Sequence, residues 1–65
     1  PLEVYYEFGL SSRGADIDNY IKGFQDILSK YYNFNDNQIY RMVVEKTIVK
    51  KGNEFINFRI RQYDF

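Results

Sequence analysis

Asp16 and Asp18 stand two residues apart in the stretch DIDNYIKGFQDIL, residues 16–28, with Asn19 after them and Lys22 four residues beyond the second acid. Residues at this spacing diverge on a helix and share one side of an extended chain. Their carboxylates suit two different tasks. One is to cap a helix and complement its positive end, with Lys22 as the i,i+4 partner of Asp18. The other is to hold a hard cation through oxygen. If Asp18 is the cap, both acids lie on extended backbone and converge. If Asp16 is the cap, Asp18 enters the first turn and the pair spreads apart. An EF-hand loop does not fit: counted from Asp16, its glycine position falls on Ile21 and its final glutamate position on Ile27. A third acid, Asp36, opens the turn that follows the amphipathic stretch.

Composition narrows the chemistry. The chain has no cysteine and no histidine. That excludes a disulfide framework, thiolate metal sites, a serine–histidine triad and most zinc chemistry. Any metal must be oxygen-bound, which means a hard ion such as magnesium or manganese. Nine basic and nine acidic residues cancel over the 65-residue chain, but unevenly. Residues 1–36 carry six acids against three bases, and residues 37–65 carry three acids against six bases. That split points to an acidic centre with a basic flank, or to scattered solvated surface charge. Seven Tyr and six Phe are enough to dominate a small core, with some left to line a subunit interface. The absence of a long apolar run or signal-peptide pattern makes a cytoplasmic location the expectation.

The elements that must position these residues are legible from periodicity. Residues 2–8 alternate, with Leu2, Val4, Tyr6 and Phe8 on one face and Glu3, Tyr5 and Glu7 on the other, as in a half-buried strand. A polar loop follows. Ile17, Ile21, Phe24, Leu28 and Tyr31 then recur at helical spacing, and NFNDN supplies the turn that ends the helix near Tyr32. Residues 38–50 are rich in β-branched side chains and read as a strand with Tyr40, Met42, Val44 and Ile48 on one face. After KKGN, a reversal at Gly52-Asn53, the last strand carries Ile56, Phe58 and Ile60 inward. We therefore expect an α+β domain over residues 1–65: one helix on a small mixed sheet in the order strand, helix, strand, strand. The last two strands are expected to form an antiparallel hairpin, and the first to lie parallel to one of them through a right-handed crossover. Three strands leave exposed edges, for a dimer partner or an N-terminal segment to cover.

The combination Asp16, Asp18, Asn19, Lys22, Asp26, Leu28, then Asp36, Gln38 and Ile39, leading into Val44, Glu45 and Lys46, resembles the RusA family of Holliday junction resolvases. The likeness runs from about Leu2 to Ile60 and covers the later part of a typical family member, so the chain is expected to lack the family's N-terminal part. The resemblance implies a small homodimeric endonuclease, of a kind often encoded by prophages, that cuts branched DNA in recombination and repair with a divalent metal. It places the essential aspartates, as catalytic and metal-binding residues, on Asp16, Asp18 and Asp36, and the essential lysine on Lys22. It implies Mg2+ or Mn2+ as cofactor.

Two departures from the family pattern bear on function. Asn35-Asp36 stands where many members have two acids, and Arg13 is the only cation before the first aspartate. We assign Arg13, Lys22 and Lys46 to nucleic-acid contact, since phosphate affinity scales with cationic contacts. The rival expectations are a nucleic-acid-binding domain without catalysis and a purely structural small domain.

Overall fold

The computed structural model describes residues 1–64. Strand β1 (Leu2–Leu10), helix α1 (Ile17–Tyr32), strand β2 (Ile39–Ile48) and strand β3 (Phe55–Gln62) follow one another, with a short 3-10 turn at Asp36–Gln38 before β2. The α+β arrangement is the expected one.

The residues with least access to water explain the strand order. Val4, Tyr6 and Phe8 have no exposed surface. All three lie on β1, and only a middle strand has neighbours at both edges to cover such residues. The sheet order is β2-β1-β3. β1 runs parallel to β2, with Tyr6 opposite Val44 and Leu10 opposite Ile48. It runs antiparallel to β3, with Tyr6 opposite Phe58 and Val4 opposite Ile60.

The expected hairpin of β2 and β3 is thus overturned, although its turn exists. Asn53 N–H donates to Lys50 O at 2.9 Å, and Gly52 adopts a φ of +98°, which favours glycine. Residues 49–54 carry the chain past the end of β1 instead of straight back. They cross two strand spacings, about 10 Å. A tight hairpin would have left β1 at an edge and Tyr6 and Phe8 half covered. Val49 N–H donates to Leu10 O at 2.9 Å, extending the parallel pair into this connection. The expected inward row on β2 also needs one correction. Pairing slips between Leu2/Ile39 and Glu3/Arg41, which skips Tyr40. Tyr40 stays exposed, its ring 6.0 Å from that of Tyr63.

On the face away from the helix, β1 ties both neighbours through its glutamates. Glu3 pairs with Arg41 of β2 at 3.4 Å and with Arg61 of β3. Glu7 stands opposite Glu45, a like charge, and bonds instead to a diagonal residue of β2 and to its direct partner on β3. It accepts from the Thr47 hydroxyl at 2.8 Å and from Asn57 Nδ2 at 3.2 Å. Gly9 lies beneath the Phe55 ring, in the space that a Cβ would occupy. An aromatic ring covering a strand glycine restores the burial that the glycine lacks.

The other face carries α1. Phe24 packs edge-on against Tyr6, Phe8 and Phe58 at centroid distances of 5.3, 5.9 and 5.6 Å. Leu28 is the buried residue of the helix, at 4% exposure. Nearer the start of the helix, Ile17 and Ile21 also pack against the core. One helix cannot roof three strands. Ile56 and Phe58 stay partly exposed, as do Met42 and Ile48, and Ile27 and Tyr31 face water at 64% and 79%.

Leu28→Ala should therefore cost about 2–5 kcal/mol. That is comparable with the whole stability of a domain this size, roughly 3–10 kcal/mol. Its neighbour Ile27→Ala should stay within about 0.5 kcal/mol of wild type. Urea denaturation of both variants checks the contrast, and equal losses would contradict this packing. Gly9→Ala, which displaces the Phe55 ring, should lower the urea midpoint by an amount equivalent to about 1–3 kcal/mol.

Candidate functional site

The start of α1 is fixed by Asp16. Its backbone is extended, at φ −84° and ψ 112°, and its Oδ1 accepts the Asp18 N–H at 3.1 Å. Of the two arrangements open from sequence, Asp16 is the cap and Asp18 sits in the first turn. Both carboxylates lie at the positive end of the helix, but in this arrangement they spread apart. Lys22 follows Asp18 by four residues and Asp26 follows Lys22 by four, so the three form one inclined stripe. All of them are exposed, as is Asp16.

Asp36 belongs to a different place. Asn33 ends the helix in the left-handed conformation, at φ 58°, and Phe34 N–H donates to Ser29 O at 3.1 Å. The chain then turns, with Asn35 N–H donating to Gln38 Oε1 at 2.8 Å. Asp36 lines a hollow with Asp26, Ser29 and Phe34. Nearby, the Tyr6 hydroxyl donates to Gln25 Oε1 at 3.2 Å. Burial pushes the Tyr6 phenol above its ordinary range, and the Asp36 charge pushes it further. Asp36 thus sits at the level of Gln25 and Asp26. Asp26 lies ten residues along the helix from Asp16, an axial rise of roughly 15 Å.

The structure therefore does not bring Asp36 to Asp16 and Asp18 within one chain. Among the described residues, no three of the acidic side chains form a group able to hold a metal ion. A three-carboxylate magnesium or manganese site does not fit the single chain. The acids fall into two sets, Asp16 with Asp18 and Asp26 with Asp36, and Lys22 stands between them. Asp26 was not among the assigned site residues. Its i,i+4 relation to Lys22 is the signal that marks it. Tyr6 and Gln25 carry no such signal, since their meeting spans strand and helix.

The assigned cations also differ in setting. Arg13 is exposed on the loop before α1. Lys46, opposite Phe8 on the helix face of the sheet, sends its ammonium to two backbone carbonyls, Arg13 O at 2.9 Å and Ala15 O at 3.1 Å. In the connection between β2 and β3, Gly52 N–H donates to Glu54 Oε1 at 2.8 Å. Glu54's carboxyl is held below its usual range, first by its own backbone N–H, then by the Ser11 hydroxyl and the Gly52 N–H.

Two measurements check this placement. Asp36→Asn removes a negative charge that disfavours the Tyr6 phenolate, so the Tyr6 pKa should fall, while Asp16→Asn should leave it unmoved. Tyrosine ring resonances followed through alkaline titration read both, and an unmoved Tyr6 in Asp36→Asn would contradict the geometry. Asp16→Ala should lose about 1 kcal/mol of stability and Asp16→Asn much less, because asparagine caps as well as aspartate.

Residues 5–59 match the family model described as Endodeoxyribonuclease RusA. No curated protein and no solved structure matches the chain significantly. The matched segment contains all six assigned site residues, the whole of α1 and most of the sheet. The family is one of endodeoxyribonucleases that act on branched DNA junctions. With most of its length matched, this chain belongs to the RusA endodeoxyribonuclease family.

Proposed function

We propose that this chain is one protomer of a metal-dependent homodimeric endonuclease that cuts four-way DNA junctions, with the start of α1 as its reactive end. The observation that carries this reading is the grouping of Asp16, Asp18 and Lys22 on the first turns of α1, within a chain of this family. That end of the helix lies beyond the carboxyl ends of the parallel strands β1 and β2, where open α/β sheets generally receive ligands. Lys22 lies one turn into the helix and meets phosphate charge as it develops. Arg13, on the adjoining loop, supplies a backbone contact. Asp16 is held by its own capping bond and Asp18 is exposed on the first turn.

Asp36 joins this set from a second copy of the chain. In one protomer it lies with Asp26, at the far side of Lys22. A two-fold arrangement of the exposed stripes would bring Asp36 of one copy against the α1 start of the other. Exposed Ile27, Tyr31, Ile56 and Phe58 offer apolar surface for such an association. The separation of Asp36 from Asp16 within one chain also favours the rival reading, a junction-binding domain without catalysis.

Cleavage of a four-way junction with magnesium or manganese decides between them. Wild type should cut, and Asp16→Asn, which keeps the cap, should lose about 10²-fold or more. Lys22→Met should lose a similar factor. Undiminished cleavage by Asp16→Asn would remove the mechanism, whereas junction binding by wild type without cleavage would leave the non-catalytic reading. Mixing inactive Asp16→Asn with inactive Asp36→Asn protomers should restore cutting, since one of the two composite sites is then intact. No restoration would place the acids in one protomer or outside the site.

A further inference from the structure

Lys46 departs from its surroundings in two ways. It occupies the helix-facing row of β2, between Val44 and Ile48 and opposite Phe8, where the neighbouring positions are apolar. Its ammonium also sits next to the N-terminal end of α1, where the helix dipole disfavours a cation. A residue that breaks local patterns in this manner points to a specific task.

The task is visible in its bonds. The ammonium donates to Arg13 O at 2.9 Å and to Ala15 O at 3.1 Å. Those two carbonyls belong to the last residues before Asp16, the cap of α1. The loop's own backbone bond there, Ala15 N–H to Ser12 O, is longer at 3.3 Å. Two of the three ammonium donors are thus engaged by charge-assisted bonds. The two bonds tie the loop to β2 across a sequence separation of more than thirty residues.

We infer that Lys46 is a positioning residue for the nuclease site: it clamps the carbonyls of Arg13 and Ala15 and so holds the Asp16 carboxylate in register with the first turn of α1, instead of binding DNA itself. The functional part rests on the reading of Asp16 as a site residue, but the clamp does not. Lysine suits the post because a flexible stem can cross the apolar face of the sheet and deliver a charge at its rim.

The test uses Lys46→Met and Lys46→Arg in the full chain. In Lys46→Met, hydrogen exchange at the Ala15 and Asp18 amides should quicken about 10-fold or more while the β1 amides keep their wild-type rates, because two bonds to a charged donor are lost. Lys46→Arg should largely restore slow exchange. In junction cleavage, kcat of Lys46→Met should fall about 10²-fold, the scale of a misplaced reacting group, with KM and the salt dependence of junction binding unchanged. A phosphate-contacting Lys46 gives the reverse: wild-type exchange rates, weaker binding and a salt slope reduced by about one. That result would overturn the proposal. If Asp16→Asn cleaves like wild type, the nuclease reading fails, and the exchange rates alone still decide the clamp. Should Lys46→Met not fold, the wild-type ammonium decides it: a Lys46 NH3+ signal exchanging with water more slowly than those of Lys50 and Lys51 supports the clamp, and equal rates overturn it.

Discussion

The insertion of β1 between β2 and β3 is the constraint on which the remaining structure depends. Among the described residues, β1 alone carries fully enclosed side chains, Val4, Tyr6 and Phe8, and it presents a different chemistry on each face. Toward the helix it offers aromatic and aliphatic surface. Toward the open side it offers Glu3 and Glu7, each bonded to both flanking strands. A domain of this length buries only about 60% of its unfolded surface. Here that limited burial is concentrated on one strand. The helix meets the sheet mainly through Phe24 and Leu28, above the same strand.

Strand order then dictates where the acids go. β1 and β2 are parallel, so the chain must return along α1 between them. The residue that opens α1 therefore lies beyond the carboxyl end of β1, and the residues that follow α1 lie toward the amino end of β2. Asp16 and Asp36 stand on opposite sides of that return. No rotation of side chains closes a gap set by helix rise. Lys22, midway along the exposed stripe, is the one assigned residue within reach of both acidic sets.

The same tertiary contacts redistribute the charge. The second half of the sequence looks basic, yet Arg41 and Arg61 are drawn to Glu3 and Lys46 to two carbonyls. The basic flank expected from composition is thus partly consumed in holding the sheet and the loop together. The cations near the start of α1 that remain turned to solvent are Arg13 and Lys22. The apolar surplus is also real. Ile56 and Phe58 on β3 remain partly exposed because one helix is too narrow for the sheet it covers, and Ile27 and Tyr31 on α1 face water. Among the described residues, no helix is long and apolar enough to cross a membrane.

Local pattern was enough to determine the elements. Alternation marked β1, spacings of three and four marked α1, and Asn33 marked its end, because side-chain period and turn chemistry act over a few residues and are written directly in the chain. The spacing of Asp16, Asp18 and Lys22 was legible for the same reason, and the family resemblance rested on it. Only the tertiary structure decided that β1 lies in the middle, that Asp16 rather than Asp18 caps the helix, that Asp36 stays with Asp26, and that Lys46 serves a loop. Apart from the cap, whose bond spans two residues, each of these is a choice between partners distant in sequence. Such choices turn on which side chains most need covering and on how far a sixteen-residue helix reaches, and no short stretch of residues records either quantity.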